Sequence, residues 1–242
     1  MSTADVLRLE DNGVGGWLQL PGSATAELMG SVGFDFVCVD QQHGLIGDDA
    51  LLPMLQALDA TGTPTLVRVV ANDAAAIGRA LDRGAGGVVV PLVDSADDAR
   101  RASIACRYPP RGDRSYGPLR AGWRARPPEP LCVVMVETAA AVAALAEILA
   151  VDGVDAIFIG PSDLALNTGR TLEAQHGDPD YDELVGSITA ACRERGLPVG
   201  IYCATSAHVH RFRGLGCTFT VLSSDAAILR AAAGDQLAAS RA

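Results

Sequence analysis

Eight short β-rich runs alternate with amphipathic stretches from one end of the chain to the other, and this unbroken β-then-α series limits the fold more than any other feature. The runs are 16–20, 34–40, 65–70, 87–93, 131–137, 156–160, 198–203 and 218–222. Several are continuously apolar, as strands covered on both faces should be. Between them lie helix signals. Asp48 is placed to cap a segment with Leu51, Leu52, Leu55 and Leu58 on one face, closed by Gly62, and Asn72 opens the next, which Gly84 ends. Ser95 with Asp98 three residues on reads as a capping box variant. The alanine-rich stretch 139–150 and the segments 180–195, 206–213 and 224–233 supply further helices. Eight such units in 242 residues predict a (β/α)8 TIM barrel, an α/β fold with one domain over 1–242. A doubly wound sheet is the rival, but at this length it would use fewer strands. The stretch 109–130 runs about twenty residues without periodicity, a length typical of lids, binding loops or interface arms.

All nineteen basic residues are arginine. A chain without lysine has no amine for a Schiff base, for pyridoxal phosphate or for a P-loop. The glycine-rich turn 84–87 closes a helix and starts a strand, the reverse of a phosphate loop. A net charge of -10 argues against nucleic acid as a partner, since a phosphate backbone calls for a basic face. No run approaches the eighteen or so apolar residues of a membrane span, and the first residues lack a cationic start followed by an apolar stretch. The six cysteines form no CxxC pair, and most sit in or beside apolar runs. A reduced, cytoplasmic protein with no membrane partner is the expectation.

In a TIM barrel the site lies at the C-terminal ends of the strands. There the second run ends in Asp40, followed by Gln41, Gln42 and His43. The third carries Arg68 within LVRVV, the fifth ends in Glu137, and the sixth leads into Gly160, Pro161, Ser162 and Asp163. A charge ending an apolar strand is costly to bury without a partner or a metal. Glu137 and Asp163 end adjacent strands, so their carboxylates can meet and hold a hard cation such as Mg2+ or Mn2+; as helix N-cap acids they would need no metal. Arg68 suits a bidentate clamp on a carboxylate or enolate oxygen, or a structural bridge to Asp40. Asp40, three residues before His43, is spaced to orient that imidazole for proton transfer. The N–H groups around Gly160, Pro161 and Ser162 open a helix and can hold an anion. His208 and His210, two apart on a predicted helix, point to different faces, and His176 lies in a surface loop.

The stretches FDFVCVDQQHG, LVRV, RYPPRGDRSYGP, VMVET and IFIGPSDL together resemble the class II pyruvate aldolases of the HpcH/HpaI family, in the family's order and from Trp17 to the last helix. The resemblance implies a divalent-metal-dependent aldolase, a carbon–carbon lyase that reversibly cleaves a 4-hydroxy-2-oxo acid to pyruvate and an aldehyde through the metal-stabilised pyruvate enolate. It implies Glu137 and Asp163 as metal ligands, for Mg2+ or Mn2+ with Co2+ a further candidate. Arg68 would then hold the keto oxygen or carboxylate of pyruvate. His43, oriented by Asp40, would be the acid/base, and Gly160–Ser162 would bind the carboxylate. Asp82 matches a position that in relatives reaches into a neighbouring subunit's site, which implies a homo-oligomer, a hexamer. The implied setting is catabolism of aromatic compounds or sugar acids.

Three departures from the family bear on the acceptor aldehyde: Gln42 stands where relatives often have Glu, Met135 where some have Gln, and the loop before the fifth run is shorter than in the best-known members. A CoA-thioester lyase of citramalyl- or malyl-CoA type is the rival within enzymes, without a basic site for the CoA phosphates. A catalytically silent regulatory barrel is the rival outside them, and it would have no reason to keep Glu137, Asp163, Arg68 and His43 together.

Overall fold

All eight predicted runs form strands in the computed structural model, which describes residues 9, 10, 12–117, 119, 120 and 129–241. They are β1 (Gly13–Leu18), β2 (Phe36–Asp40), β3 (Thr65–Arg68), β4 (Gly87–Val90), β5 (Leu131–Val136), β6 (Ala156–Ile159), β7 (Val199–Cys203) and β8 (Phe219–Leu222). The strands pair in sequence order, all parallel, and β8 closes on β1, so the sheet is a barrel and the doubly wound rival falls. The helices are α1 (Ser23–Ser31), α2 (Asp48–Ala60), α3 (Ala74–Asp82), α4 (Ala96–Cys106), α5 (Ala139–Ala143), α6 (Leu145–Ile148), α7 (Pro161–Asn167), α8 (Pro179–Glu194), α9 (Ser206–Gly214) and α10 (Asp225–Ala239). A 3-10 helix, Leu172–His176, follows α7.

Alternation along the strands sorts the core into two layers. Val37, Val39, Val88, Val90, Val134 and Ile157 face outward and pack under the helices. Trp17, Phe36, Val133, Met135, Phe158 and Phe219 face inward and fill the barrel. Gly200 makes room for this filling, because a Cβ there would run into the Phe219 ring.

Several predicted boundaries shift, each for a local reason. Asp48 is the first residue of α2 and caps nothing; Gly47 precedes the helix, and the Asp48 carboxylate pairs with Arg79 and Arg83. Met54, not Leu52, joins Leu51, Leu55 and Leu58 on the buried face of α2. Asp73 rather than Asn72 caps α3, accepting from the Ala76 N–H, while Asn72 donates to the Asp98 carbonyl. The Ser95/Asp98 box forms as predicted, the Ser95 hydroxyl donating to Asp98 and accepting its N–H. The stretch 139–150 breaks into α5 and α6 at Ala144, and α1 was not anticipated.

In α10 only Asp225 is buried, and Ile228, Leu229 and Leu237 are 41%, 62% and 51% exposed. Of the long stretch 109–130, residues 118 and 121–128 lie outside the described residues. Among the described residues no helix is long and apolar enough to cross a membrane. All six cysteines are buried and free of disulfides.

Candidate active site

One cavity of about 230 Å³ opens at the C-terminal end of the barrel, lined by residues that end or follow six strands. From β1 come Trp17 and Gln19, from the turn after β2 His43, and from β3 Arg68. Met135 and Glu137 belong to β5 and its end, Phe158 and Gly160 to β6, and Tyr202 to β7; Pro161, Ser162 and Asp163 open α7.

The floor is an ion pair held by an aromatic ring. Asp40 is fully buried and accepts two bonds from Arg68, Nε to Oδ1 at 2.8 Å and Nη2 to Oδ2 at 2.7 Å. The Trp17 indole N–H donates to the same carboxylate at 3.1 Å, and its ring lies under the Arg68 guanidinium, 4.9 Å to the centroid. Such a cation–π contact is worth about 2 kcal/mol when desolvated. Burial by itself would raise the Asp40 carboxyl, but Arg68, with the His43 N–H and Trp17, holds it below its ordinary range. A guanidinium carries five N–H donors. Asp40 takes two of them, and the others remain for whatever enters the cavity.

This arrangement corrects the role expected of Asp40. Its Oδ1 accepts the backbone N–H of Gln42 at 3.0 Å and of His43 at 3.2 Å, not the imidazole. Asp40 therefore fixes the turn that carries His43 and clamps Arg68, while the His43 ring is exposed at the cavity mouth.

Glu137 follows β5 and is 2% exposed. The N–H of Leu92 donates to its Oε1 at 2.8 Å, and Leu92 adopts φ +53 to aim that donor. Strain of this kind persists where the surrounding structure over-determines it. Burial pushes the Glu137 carboxyl above its usual range, the Leu92 N–H works against the rise, and the negative charge of Asp163 adds to it. Gly160 presses on the other oxygen: a Cβ there would collide with Glu137 Oε2 and lie 3.0 Å from Met135 Cε. Asp163, in the first turn of α7, lines the same cavity. Two carboxylates thus share one cavity beside a single guanidinium, and among the described residues no group of three or more His, Cys, Asp or Glu is placed to hold one metal ion. Two carboxylates with the remaining positions open to water and substrate are a donor set that suits a hard dication.

The turn after β6 also needs correcting as an anion site. The Gly160 N–H is already given to the Val136 carbonyl at 3.4 Å, and Pro161 has none. The open donors are those of Ser162 and Asp163, at the second and third positions of α7. Asp82 ends α3, at the far end of the barrel from the cavity, where it pairs with Arg114 at 2.5 Å. Within one chain it does not reach the site.

Sequence reasoning missed Trp17, Gln19, Phe158 and Tyr202. Trp17 was hidden by a strand boundary set two residues late, although a tryptophan near a strand's C-terminal end is a signal. Tyr202 was legible by parity, since it shares the inward face of β7 with Gly200.

A family model described as HpcH/HpaI aldolase/citrate lyase matches residues 14–232. A 2-dehydro-3,6-dideoxy-6-sulfogluconate aldolase of Pseudomonas putida is 36% identical over 243 residues, covering 97% of this chain and 94% of the relative. A hydroxypyruvate/pyruvate aldolase of Rhizorhabdus wittichii is 39% identical over 238 residues, covering 94% and 93%. The crystal structure of an HpcH/HpaI aldolase/citrate lyase family protein from Burkholderia cenocepacia superposes with a TM-score of 0.89 at 28% identity, over 100% of both chains.

Proposed function

Because the chain belongs to the HpcH/HpaI aldolase/citrate lyase family, we propose that it is a divalent-metal-dependent carbon–carbon lyase that reversibly cleaves a 4-hydroxy-2-oxo acid to pyruvate and an aldehyde. The observation that carries the reading is Glu137 and Asp163 in one cavity with the clamped Arg68.

Glu137 and Asp163 would hold the cation, whose Lewis acidity makes the methyl protons of pyruvate more acidic and favours the enolate. The remaining N–H groups of Arg68 bind the developing oxyanion, and Asp40 and Trp17 prevent the guanidinium from swinging away. The N–H groups of Ser162 and Asp163 receive the substrate carboxylate. His43, at the mouth, takes the proton of the 4-hydroxyl group as the bond to the aldehyde breaks, and returns it in the synthetic direction. The absence of lysine fits this division of labour, since no iminium can form.

CoA-thioester cleavage, which the citrate lyase part of the family description brings in, ranks second. Arg68 is the one arginine lining the cavity among the described residues, and Asp40 already holds it, which leaves no free guanidinium there for the phosphates of CoA. The exposed apolar side chains of α10 support a homo-oligomer, with a hexamer suggested by the family resemblance.

The deciding experiment screens aldehydes with pyruvate, with Mg2+ or Mn2+ added and after chelation. Metal-dependent condensation is the expected result. Full-rate cleavage of a 4-hydroxy-2-oxo acid by metal-free protein would overturn the reading.

A further inference from the structure

We propose that His176 and His208 form a second metal site, apart from the catalytic cavity, for a borderline dication such as Zn2+ with water in its remaining positions. The two residues are 32 apart in sequence, yet Nδ1 of His176 lies 3.2 Å from Nε2 of His208. Their ring centroids are 5.0 Å apart and the planes differ by 33°. Two imidazole nitrogens about 2.0–2.1 Å from one ion are roughly 2.9 Å apart at a right angle and 3.4 Å at a tetrahedral angle, so the observed separation falls inside that bite. Imidazole suits Zn, Cu and Ni far better than it suits Mg.

The pair is fixed by tertiary structure. His176 ends the 3-10 helix and His208 lies in the first turn of α9. Arg211 of α9 joins the two elements, its Nη1 donating to the Gln175 carbonyl at 2.6 Å while it also pairs with Asp182 of α8. The cation nearest the histidines is therefore matched by a carboxylate. The exposed Glu173, one 3-10 turn before His176, adds negative charge on the same edge. Partial burial, with His176 and Arg211 beside it, lowers the basicity of His208, the direction that favours the neutral ring a ligand needs. Neither histidine lines the catalytic cavity. A bound ion would nevertheless stiffen one wall of it, because Gln175 of the same 3-10 helix meets the Ser162 hydroxyl at 3.5 Å.

An N–H···N hydrogen bond between neutral imidazoles would give the same separation, and metal titration distinguishes the two. The full chain carrying E137Q and D163N, which silence the carboxylate pair, is titrated with Zn2+ in a calorimeter. One saturable site per chain is expected, lost in H176A and in H208A and kept in H210A. A Cu2+ spectrum of the chain with all histidines in place should show two coordinated imidazole nitrogens, a readout that does not depend on how the variants fold. Absence of saturable binding, or binding that survives both H176A and H208A, would overturn the site.

Discussion

Asp40 grips Arg68 along one edge of the guanidinium, Nε and Nη2 each donating to a separate carboxylate oxygen at 2.8 and 2.7 Å. Both groups are almost sealed from water, at 0% and 7% exposure. Desolvating two charges costs several kcal/mol apiece, and the attraction offsets this only when geometry and further hydrogen bonds are good. Here the Trp17 indole and two backbone N–H groups complete the carboxylate.

Breaking that pair should be expensive. Asp40→Asn leaves a buried guanidinium without its counter-charge and should destabilise the fold by about 3–5 kcal/mol at neutral pH. Because the folded carboxyl titrates below its ordinary value, the stabilisation is complete above the unfolded value, near pH 4, and disappears as pH falls through the lower folded value. The melting temperatures of wild type and Asp40→Asn should therefore differ at pH 7 and converge in strong acid. A gap that stays constant down to pH 2 would mean that the charge on Asp40 is not what stabilises the fold.

The same geometry sorts the variants by reaction. Arg68→Ala should abolish both aldol cleavage and oxaloacetate decarboxylation, since each forms an enolate. His43→Ala should reduce aldol cleavage by about 10²–10⁴-fold and spare decarboxylation, which removes no hydroxyl proton. Asp40→Asn should follow Arg68→Ala, because its carboxylate holds the guanidinium and not the imidazole. Equal losses in both reactions for His43→Ala would make His43 structural.

Gly160 offers a test of the carboxylate pair that leaves every charge in place. Its φ of -88 is open to any residue, so Gly160→Ala adds only a Cβ against Glu137 and Met135. A displacement near 1 Å at a reacting centre costs about 10²-fold. Activity should fall by that order, and more Mn2+ should be needed to reach it. An unchanged metal requirement would show that Glu137 is not a ligand.

Chelation should remove activity and added Mg2+ or Mn2+ should restore it, whereas borohydride with pyruvate should leave it intact, because no lysine is present to trap. Covalent capture of pyruvate by the reduced protein would contradict the mechanism outright.

Light scattering at micromolar concentration should show a homo-oligomer, and removal of 225–242 should weaken it. An intact chain that runs as a monomer would also end any role for Asp82 in a neighbour's site.

The barrel was legible because strands buried on both faces leave long apolar runs, and the acids and the arginine stood out against them. Relations across the chain were only partly so, and the bridge from Arg68 to Asp40 stood as one of two readings of that arginine. Spacing suggested that Asp40 served His43, three residues away, but Arg68 lies beside Asp40 on the next strand at the same level and offers two strong donors. Gly160 drops out of the expected anion donors because Val136 has already claimed its N–H, which the sequence does not reveal. The His176–His208 approach depends on how the 3-10 helix lies against α9, and no local pattern encodes it.

The aromatic filling of the barrel closes the cavity from below. Phe36, Phe158 and Phe219 pack ring on ring beneath Trp17, so whatever enters through the mouth must leave by it. With Arg68 at the floor and His43 at the rim, the proposed reaction would put pyruvate in the inner berth and the aldehyde in the outer one. Traffic through a dead-end passage has an order: pyruvate first in and last out. Steady-state inhibition should then be competitive for pyruvate against the cleaved acid and noncompetitive for the aldehyde.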